Sequence, residues 1–441
     1  MSNSAAKNSV LTLRYATEFQ CIGEACPDDC CSHGWKIFIE KRAYQNLRKL
    51  YQKTPDGRKT FQNSISRIKD RKTEQGYAEI QMKPNGDCPF LDEQRLCDIH
   101  KQFGGKQLGW ICKDYPRTVS ENFDQVELSL TLSCPEAARL CLSSEGATDL
   151  VEAPGNIIEG TSKYRAKLPS GNTLKPYFEY RNEIRQVLLH LAQADKYTTS
   201  GRVYLMLHFA NRIGGFFNAG LEDTSTEDLV LEIDNIANPQ HHEQLVRGFI
   251  DTQPDYSLSF AISLMTVLLF GADENSEFSV FLRSIFNHYN IELSDGESDL
   301  NSEELLPLID NYLEQLKQIE GVYHEQIEHY LERLLIHSCF KYQYIHEKSL
   351  MSHVRNIFTL IASMKFLFIL HPKTRGICRQ LADGEKNGEQ VSQLNETMTE
   401  VVYLVSRKFD HWNREALALL SSALDEQGIN DFDQLVKLAR S

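Results

Sequence analysis

The chain has 441 residues, 41% of them hydrophobic and 24% charged, a composition typical of a globular protein large enough for two cores. Its formal net charge is −14 and no long basic block stands out, which argues against a phosphate-tracking surface and makes nucleic acid an unexpected partner. The opening Met1-Ser-Asn-Ser leads into no apolar run, and the most apolar stretch, Phe358 to Leu370, is interrupted by Lys365 and falls short of the roughly 20 residues a membrane span requires. The expectation is a cytoplasmic protein with no membrane association.

In chain order, residues 11 to 20 alternate loosely (Leu11, Leu13, Tyr15), as a short strand or extended lead-in would. Cys21 to Trp35 is too rich in Gly, Pro, Asp and Cys for regular structure. An amphipathic pattern follows, with Tyr44, Leu47, Leu50 and Tyr51 at helical spacing. Thr54 to Lys72 is polar, a mixture of helix and surface loop. Ala78, Ile80 and Met82 predict a strand entering the turn Pro84-Asn85-Gly86-Asp87. The segments Cys88-Pro-Phe-Leu91 and Cys97-Asp-Ile-His100 read as two extended pieces around a turn, and Trp110-Ile-Cys112 brings the chain back. Val126 to Leu132 is apolar at alternate positions, and Cys134-Pro135 opens a helix through Leu142.

Residues 151–176, with Pro154, Gly155, Gly160, Pro169, Gly171 and Pro176, read as a linker. Helical patterns then occupy 180–197, 200–218, 240–252, 256–270, 276–290, 302–319, 322–340, 350–370, 390–409 and 411–425. Ser302 is a suitable N-cap, with Glu303 and Glu304 in the first turn where the helix dipole favours them. Pro372 stops one of these helices. The expected fold is mainly α: an irregular Cys-rich metal-binding domain with a few short strands over 1–150, the linker, and an irregular all-helical domain over 177–441.

The cysteines need a cause of their own. Of 11, only Cys339 and Cys378 lie beyond Cys141, and both sit in helical patterns where a thiol is a small buried hydrophobe. In a reducing compartment the clustered Cys21, Cys26, Cys30, Cys31, Cys88, Cys97, Cys112 and Cys134 point to metal rather than to disulfides. Turn-rich sequence lets several soft sulfurs converge on zinc or an iron–sulfur cluster. Three are followed by proline, as in the ligand run of bacterial ferredoxins, and Cys-x4-Cys-x3-Cys-Cys is not the knuckle pair of most zinc fingers. The expectation is a [4Fe–4S] cluster, with zinc as the alternative. Adjacent Cys30 and Cys31 are not expected to serve one ion equally, since neighbouring side chains diverge.

The opening Phe19-Gln-Cys21-Ile-Gly-Glu-Ala-Cys26-Pro-Asp-Asp-Cys30-Cys31-Ser-His-Gly34-Trp35 resembles that of the flagellin lysine-N-methylases. Cys88-Pro-Phe-Leu91 through Cys97-x-Ile-His100, then Cys112-x-x-Tyr115-Pro116-Arg117, is similar to a wider family of zinc- or iron-chelating cysteine-cluster proteins. The match covers the N-terminal third by motif and the helical remainder by general character. This resemblance implies methyl transfer from S-adenosylmethionine to lysine side chains of flagellin, with an iron–sulfur cluster in the enzyme. Composition and spacing by themselves leave open a non-enzymatic metal-binding adaptor whose helical domain docks partners.

For the implied reaction, a lysine ammonium must lose a proton before it attacks a methyl sulfonium, at a cost of about 4 to 5 kcal/mol at neutral pH. Tyr115, Asp114 and His100 are the candidate bases or positioning groups near the cysteines. Tyr115 also fits a buried ring with a satisfied hydroxyl, and His100 fits a cluster ligand, an outer partner or a surface histidine. Arg117 is the candidate for a carboxylate of the cofactor, or else for an ordinary salt bridge. Trp35 and Trp110 flank cysteines as shields, and Trp35 is also a candidate for cation–π contact with a sulfonium.

Overall fold

The computed structural model describes residues 9–32, 35–69, 75–122, 125–161, 163–165, 180–218, 226–250, 277–291, 302–342, 349–381, 387–411, 422, 424–426, 429 and 432–440. Two compact units divide the chain: Met1–Leu140 with Asp149–Ala166, and Cys141–Thr148 with Lys167–Ser441. Up to residue 165 the elements are β1 (Ser9–Leu13), α1 (Arg14–Glu18), β2 (Phe38–Ile39), α2 (Lys41–Tyr51), α3 (Pro55–Ser64), β3 (Ile65–Arg67), β4 (Ala78–Ile80), α4 (Asp98–Phe103), α5 (Trp110–Asp114), β5 (Arg117–Asn122), β6 (Gln125–Leu130), α6 (Pro135–Ser143), β7 (Leu150–Pro154) and β8 (Lys163–Arg165). Helices then follow one another, and the protein is mainly α.

The first unit holds two sheets. The larger runs β7-β1-β6-β5-β8. Its β5–β6 hairpin is antiparallel, from Arg117 opposite Leu130 to Asn122 opposite Gln125, while β1 joins β6 in parallel. Val10, Leu13, Leu128 and Leu130 are buried on it, and the buried Thr12 hydroxyl donates to the Leu128 carbonyl at 2.7 Å. The smaller sheet, β2-β4-β3, is antiparallel throughout.

Against the smaller sheet α2 lays Ala43, Leu47 and Tyr51, an i, i+4, i+8 stripe, over Ile39, Ala78, Ile80 and Phe90. The helix α3 starts at Thr54, whose hydroxyl accepts the Gly57 N–H at 3.1 Å, with Pro55 in the first turn. Gly57 is required there, because a Cβ would lie 2.4 Å from the Tyr51 carbonyl oxygen.

Two expectations change in this unit. The stretch expected to be a linker is folded where it is described, with β7 beside β1 and β8 beside β5. Its prolines and glycines punctuate strands: Pro154 closes β7, and Gly160 turns the chain at a φ of 77°. Residues 166–176 lie outside the described residues. Likewise, Cys97 to His100 is not extended but opens α4, with Asp98 in the first turn where a carboxylate suits the helix dipole.

The second unit carries α7 (Arg181–Ala192), α8 (Thr199–Asn218), α9 (Thr226–Ala237), α10 (Pro239–Ile250), α11 (Glu277–His288), α12 (Ser302–Lys341), α13 (Leu350–Leu370), α14 (Pro372–Leu381), α15 (Gly388–His411) and α16 (Phe432–Arg440). The windows 302–319 and 322–340 are the two helical stretches of α12, separated by a kink where Tyr323 leaves helical geometry at φ −117°, ψ 25°. The helices α9, α14 and α16 were not expected. Pro372 does stop α13, but at the first position of α14 it also starts the next helix. The windows 256–270 and most of 411–425 lie outside the described residues.

At the centre is α13, which packs on α8, α12, α14 and α15 and buries residues around its whole circumference. It is 21 residues, longer than the apolar stretch read from the sequence, and by length and composition alone could cross a membrane. Its burial among the other helices marks it as a core helix. Lys365 is accommodated by Glu320, Nζ to Oε1 3.2 Å. Ser349 caps the helix by accepting the Ser352 N–H at 3.0 Å. Ser349→Ala is expected to cost about 1 kcal/mol in urea unfolding, and an unchanged midpoint would show the cap to be irrelevant.

Candidate functional site

Four of the predicted thiols come together at the margin of the smaller sheet's core. Cys88 belongs to that core, and Cys31, Cys97 and Cys112 pack against it beside Trp35 and Ile111. The loops bearing them are tied by backbone: the Cys88 N–H donates to the Cys31 carbonyl at 2.7 Å, and Leu91 bridges to Cys97. Cys112 rides on α5, whose first N–H, that of Trp110, donates to the Glu40 carboxylate at 3.0 Å. Cys30 stands at the exposed side, its Sγ 3.8 Å from that of Cys31.

These thiols feel one another. Cys31 is pushed far up by its hydrogen bond with Cys30, then by burial and by Cys30, Cys112 and Cys88. Burial pushes Cys88 up to about 11, and Cys97 and Cys30 act in the same direction. Cys97 and Cys112 are raised by burial first, with Cys30 among the neighbours in both cases. Crowded, desolvated thiols remain protonated on their own, and a bound cation removes that penalty.

The backbone prepares several sulfurs for the charged state. At all three Cys-Pro steps backbone N–H groups just downstream counter burial and lower the thiol pKa: Asp28 at Cys26, Phe90 at Cys88, and Ala137 then Glu136 at Cys134. Proline has no N–H of its own and presets the turn that aims the next one. Cys97 gains the same support from the N–H groups of Ile99 and His100 at the start of α4. Hydrogen bonds of this kind favour thiolate.

The other three thiols form a second neighbourhood. Cys26 senses Cys21 and Cys30; Cys134, pushed by burial to about 12, senses Cys26 and Cys30. Arg117, at the start of β5, stands beside Cys21, Asp114 and Cys134, and its guanidinium covers the Phe19 ring at 5.0 Å. Burial lowers its pKa and those three neighbours oppose the shift, so it remains a fixed cation. The eight cysteines therefore form a group around Cys31, Cys88, Cys97 and Cys112 and a group of Cys21, Cys26 and Cys134, with Cys30 electrostatically linked to both.

Of the other candidates, Asp114 is buried at the end of α5. The Tyr115 hydroxyl shares a hydrogen bond with Ser133 at 3.2 Å, and its ring lies 5.4 Å from that of Trp35. The backbone of His100 serves Cys97, while its exposed side chain lies beside Gly105. His33 and Gly34 of the opening signature lie outside the described residues. Among the described residues, no three His, Cys, Asp or Glu side chains stand at the spacing of a preformed metal site. Sequence reasoning does not find Glu40, Asp29 and Arg95 as site residues; Asp28-Asp29 between Cys26 and Cys30 is the signal that could have pointed to them.

Comparison with known proteins places the helical part first. The family model "FliB lysine N-methylase C-terminal domain" matches residues 185–438. The flagellar biosynthetic protein FliU of Salmonella muenchen is 36% identical over 139 residues, covering 31% of this chain and 79% of that protein. The lysine-N-methylases of Salmonella typhimurium and Salmonella choleraesuis are each 34% identical over 165 residues, 37% of this chain. The matched stretch spans 39% of each of those two proteins. No solved structure matches the chain. With the family model spanning more than half of its length, the chain belongs to the FliB lysine N-methylase family.

Proposed function

We propose that this protein is a lysine N-methyltransferase that moves methyl groups from S-adenosylmethionine to lysines of flagellin in the cytoplasm, and that its cysteine-bearing loops hold a [4Fe–4S] cluster. The family match over residues 185–438 carries the methyl-transfer reading. For the cluster, the support is the donor set: soft thiols, all free of disulfides, crowded at one core margin and supplied with N–H donors to sulfur. Cys31, Cys88, Cys97 and Cys112 would hold it. When bound, it would supply Lewis-acidic iron to an amino and carboxylate chelate such as the methionine end of the donor.

The chain's own residues then have separable tasks. Arg117, a fixed cation walled by Phe19, suits a carboxylate. Asp114, buried beside it, is the better candidate for holding a proton or an ammonium than Tyr115, whose hydroxyl is engaged with Ser133. Trp35 and Tyr115 form the aromatic wall that limits water.

The test is a methyl-transfer assay with anaerobically purified protein, isotopically labelled S-adenosylmethionine and unmodified flagellin, read by peptide mass spectrometry. Label on flagellin lysines that needs both protein and donor is the expected result. Absence of label with protein that binds the donor would remove flagellin as the substrate.

A further inference from the structure

We infer that Arg95 is a positioning residue that latches the Cys30–Cys31 loop onto the loops carrying Cys88 and Cys97; the inference rests on reading these thiols as one metal-binding set. Arg95 sits in the turn between Cys88 and Cys97, at a φ of 61°. That left-handed position normally belongs to glycine or asparagine, so an arginine there needs a reason in its side chain. The turn is pinned independently: Asp92 accepts the N–H groups of Gln94 at 2.9 Å and Leu96 at 2.8 Å, and Lys101 pairs with its other oxygen.

From this fixed base the guanidinium reaches the two other loops. Nη2 pairs with Asp29 Oδ2, and Nη1 lies 3.8 Å from Asp87 Oδ1, one residue before Cys88. Asp29 passes the constraint on, since its Oδ1 accepts the Cys31 N–H at 2.7 Å and its Oδ2 the Ser32 hydroxyl at 3.1 Å. The arginine side chain is 52% exposed, whereas Asp29 is only 10% exposed. An exposed ion pair alone does little, but here the arginine pairs with a mostly buried carboxylate that sits directly on the Cys31 backbone, so its removal takes charge stabilisation from the group that orders that loop. One side chain thereby links all three loops.

The experiment measures iodoacetamide alkylation rates, cysteine by cysteine, in the full-length metal-free reduced protein. In R95A and R95G, Cys30 and Cys31 are expected to react about three- to tenfold faster, with Cys339 and Cys378 unchanged. R95K, which keeps a cation for Asp29, is expected to recover most of the native rate. R95G separates the latch from the turn, because glycine relieves the left-handed position but carries no guanidinium. Native rates in R95G would overturn the proposal, as would a uniform rise that includes Cys339 and Cys378. The readout needs no metal, so the latch is tested even in a protein that proves never to bind iron.

Discussion

If the proposed cluster is held as inferred, Cys112→Ser is expected to abolish metal retention and to reduce the proposed methyl transfer at least about 100-fold, because loss of a ligand should exceed the 10- to 100-fold effects of losing an outer partner. The thiol sits on α5, anchored by Glu40, with Cys88, Cys30 and Cys97 as electrostatic neighbours. The informative control is Cys339→Ala with Cys378→Ala. Both thiols are buried in the helical unit, pushed up to about 12 and about 11 chiefly by burial. Replacing them costs packing and leaves metal content alone. Iron and zinc measured per chain in each variant decide the matter: equal losses in all three would mean that the thiols of the first unit have no special role.

The contrast between these two classes of cysteine is legible in the sequence. Clustering in turn-rich segments marks one class and helical periodicity the other, and the Cys-Pro steps share a local geometry that recurs at Cys26, Cys88 and Cys134. The grouping within the cluster is not legible, because it depends on which loop meets which, through contacts such as Cys88 to Cys31 across 57 positions. Arg95 is invisible for the same reason: its partners come from two other loops.

Long periodic helices such as α13 stand out in the sequence, while β7 is hidden by the proline at its end and β8, at three residues, is too short to show a period. The unexpected α9 buries Leu229, Ile233 and Ile236 at helical spacing, a short signal that the exposed apolar Val230 and Leu231 blur.

Acidification is expected to unfold the helical unit through His353. This residue is 3% exposed in the first turn of α13, and burial holds its pKa down to about 3. The unfolded chain returns it to its ordinary value of about 6.5 and so binds more protons between those limits. Stability from this group is therefore complete above pH 6.5 and falls as pH drops toward 3, by about 4 to 5 kcal/mol over the whole window. His371, held near 4 by burial with Glu400 opposing at 3.8 Å, adds to the same trend. Urea unfolding between pH 6 and 4 reads it directly: His353→Leu is expected to lower the slope by about one proton relative to the native chain. An unchanged slope would show that His353 protonates freely in the folded state.

Whether the cysteine loops hold the proposed iron–sulfur cluster is read from the iron, labile sulfide and zinc content of anaerobically purified protein. About four iron and four sulfide per chain, lost together in Cys112→Ser, is the expected result. Stoichiometric zinc without sulfide would contradict it, and would leave the same thiols as a structural staple with the methyl-transfer chemistry placed elsewhere in the chain.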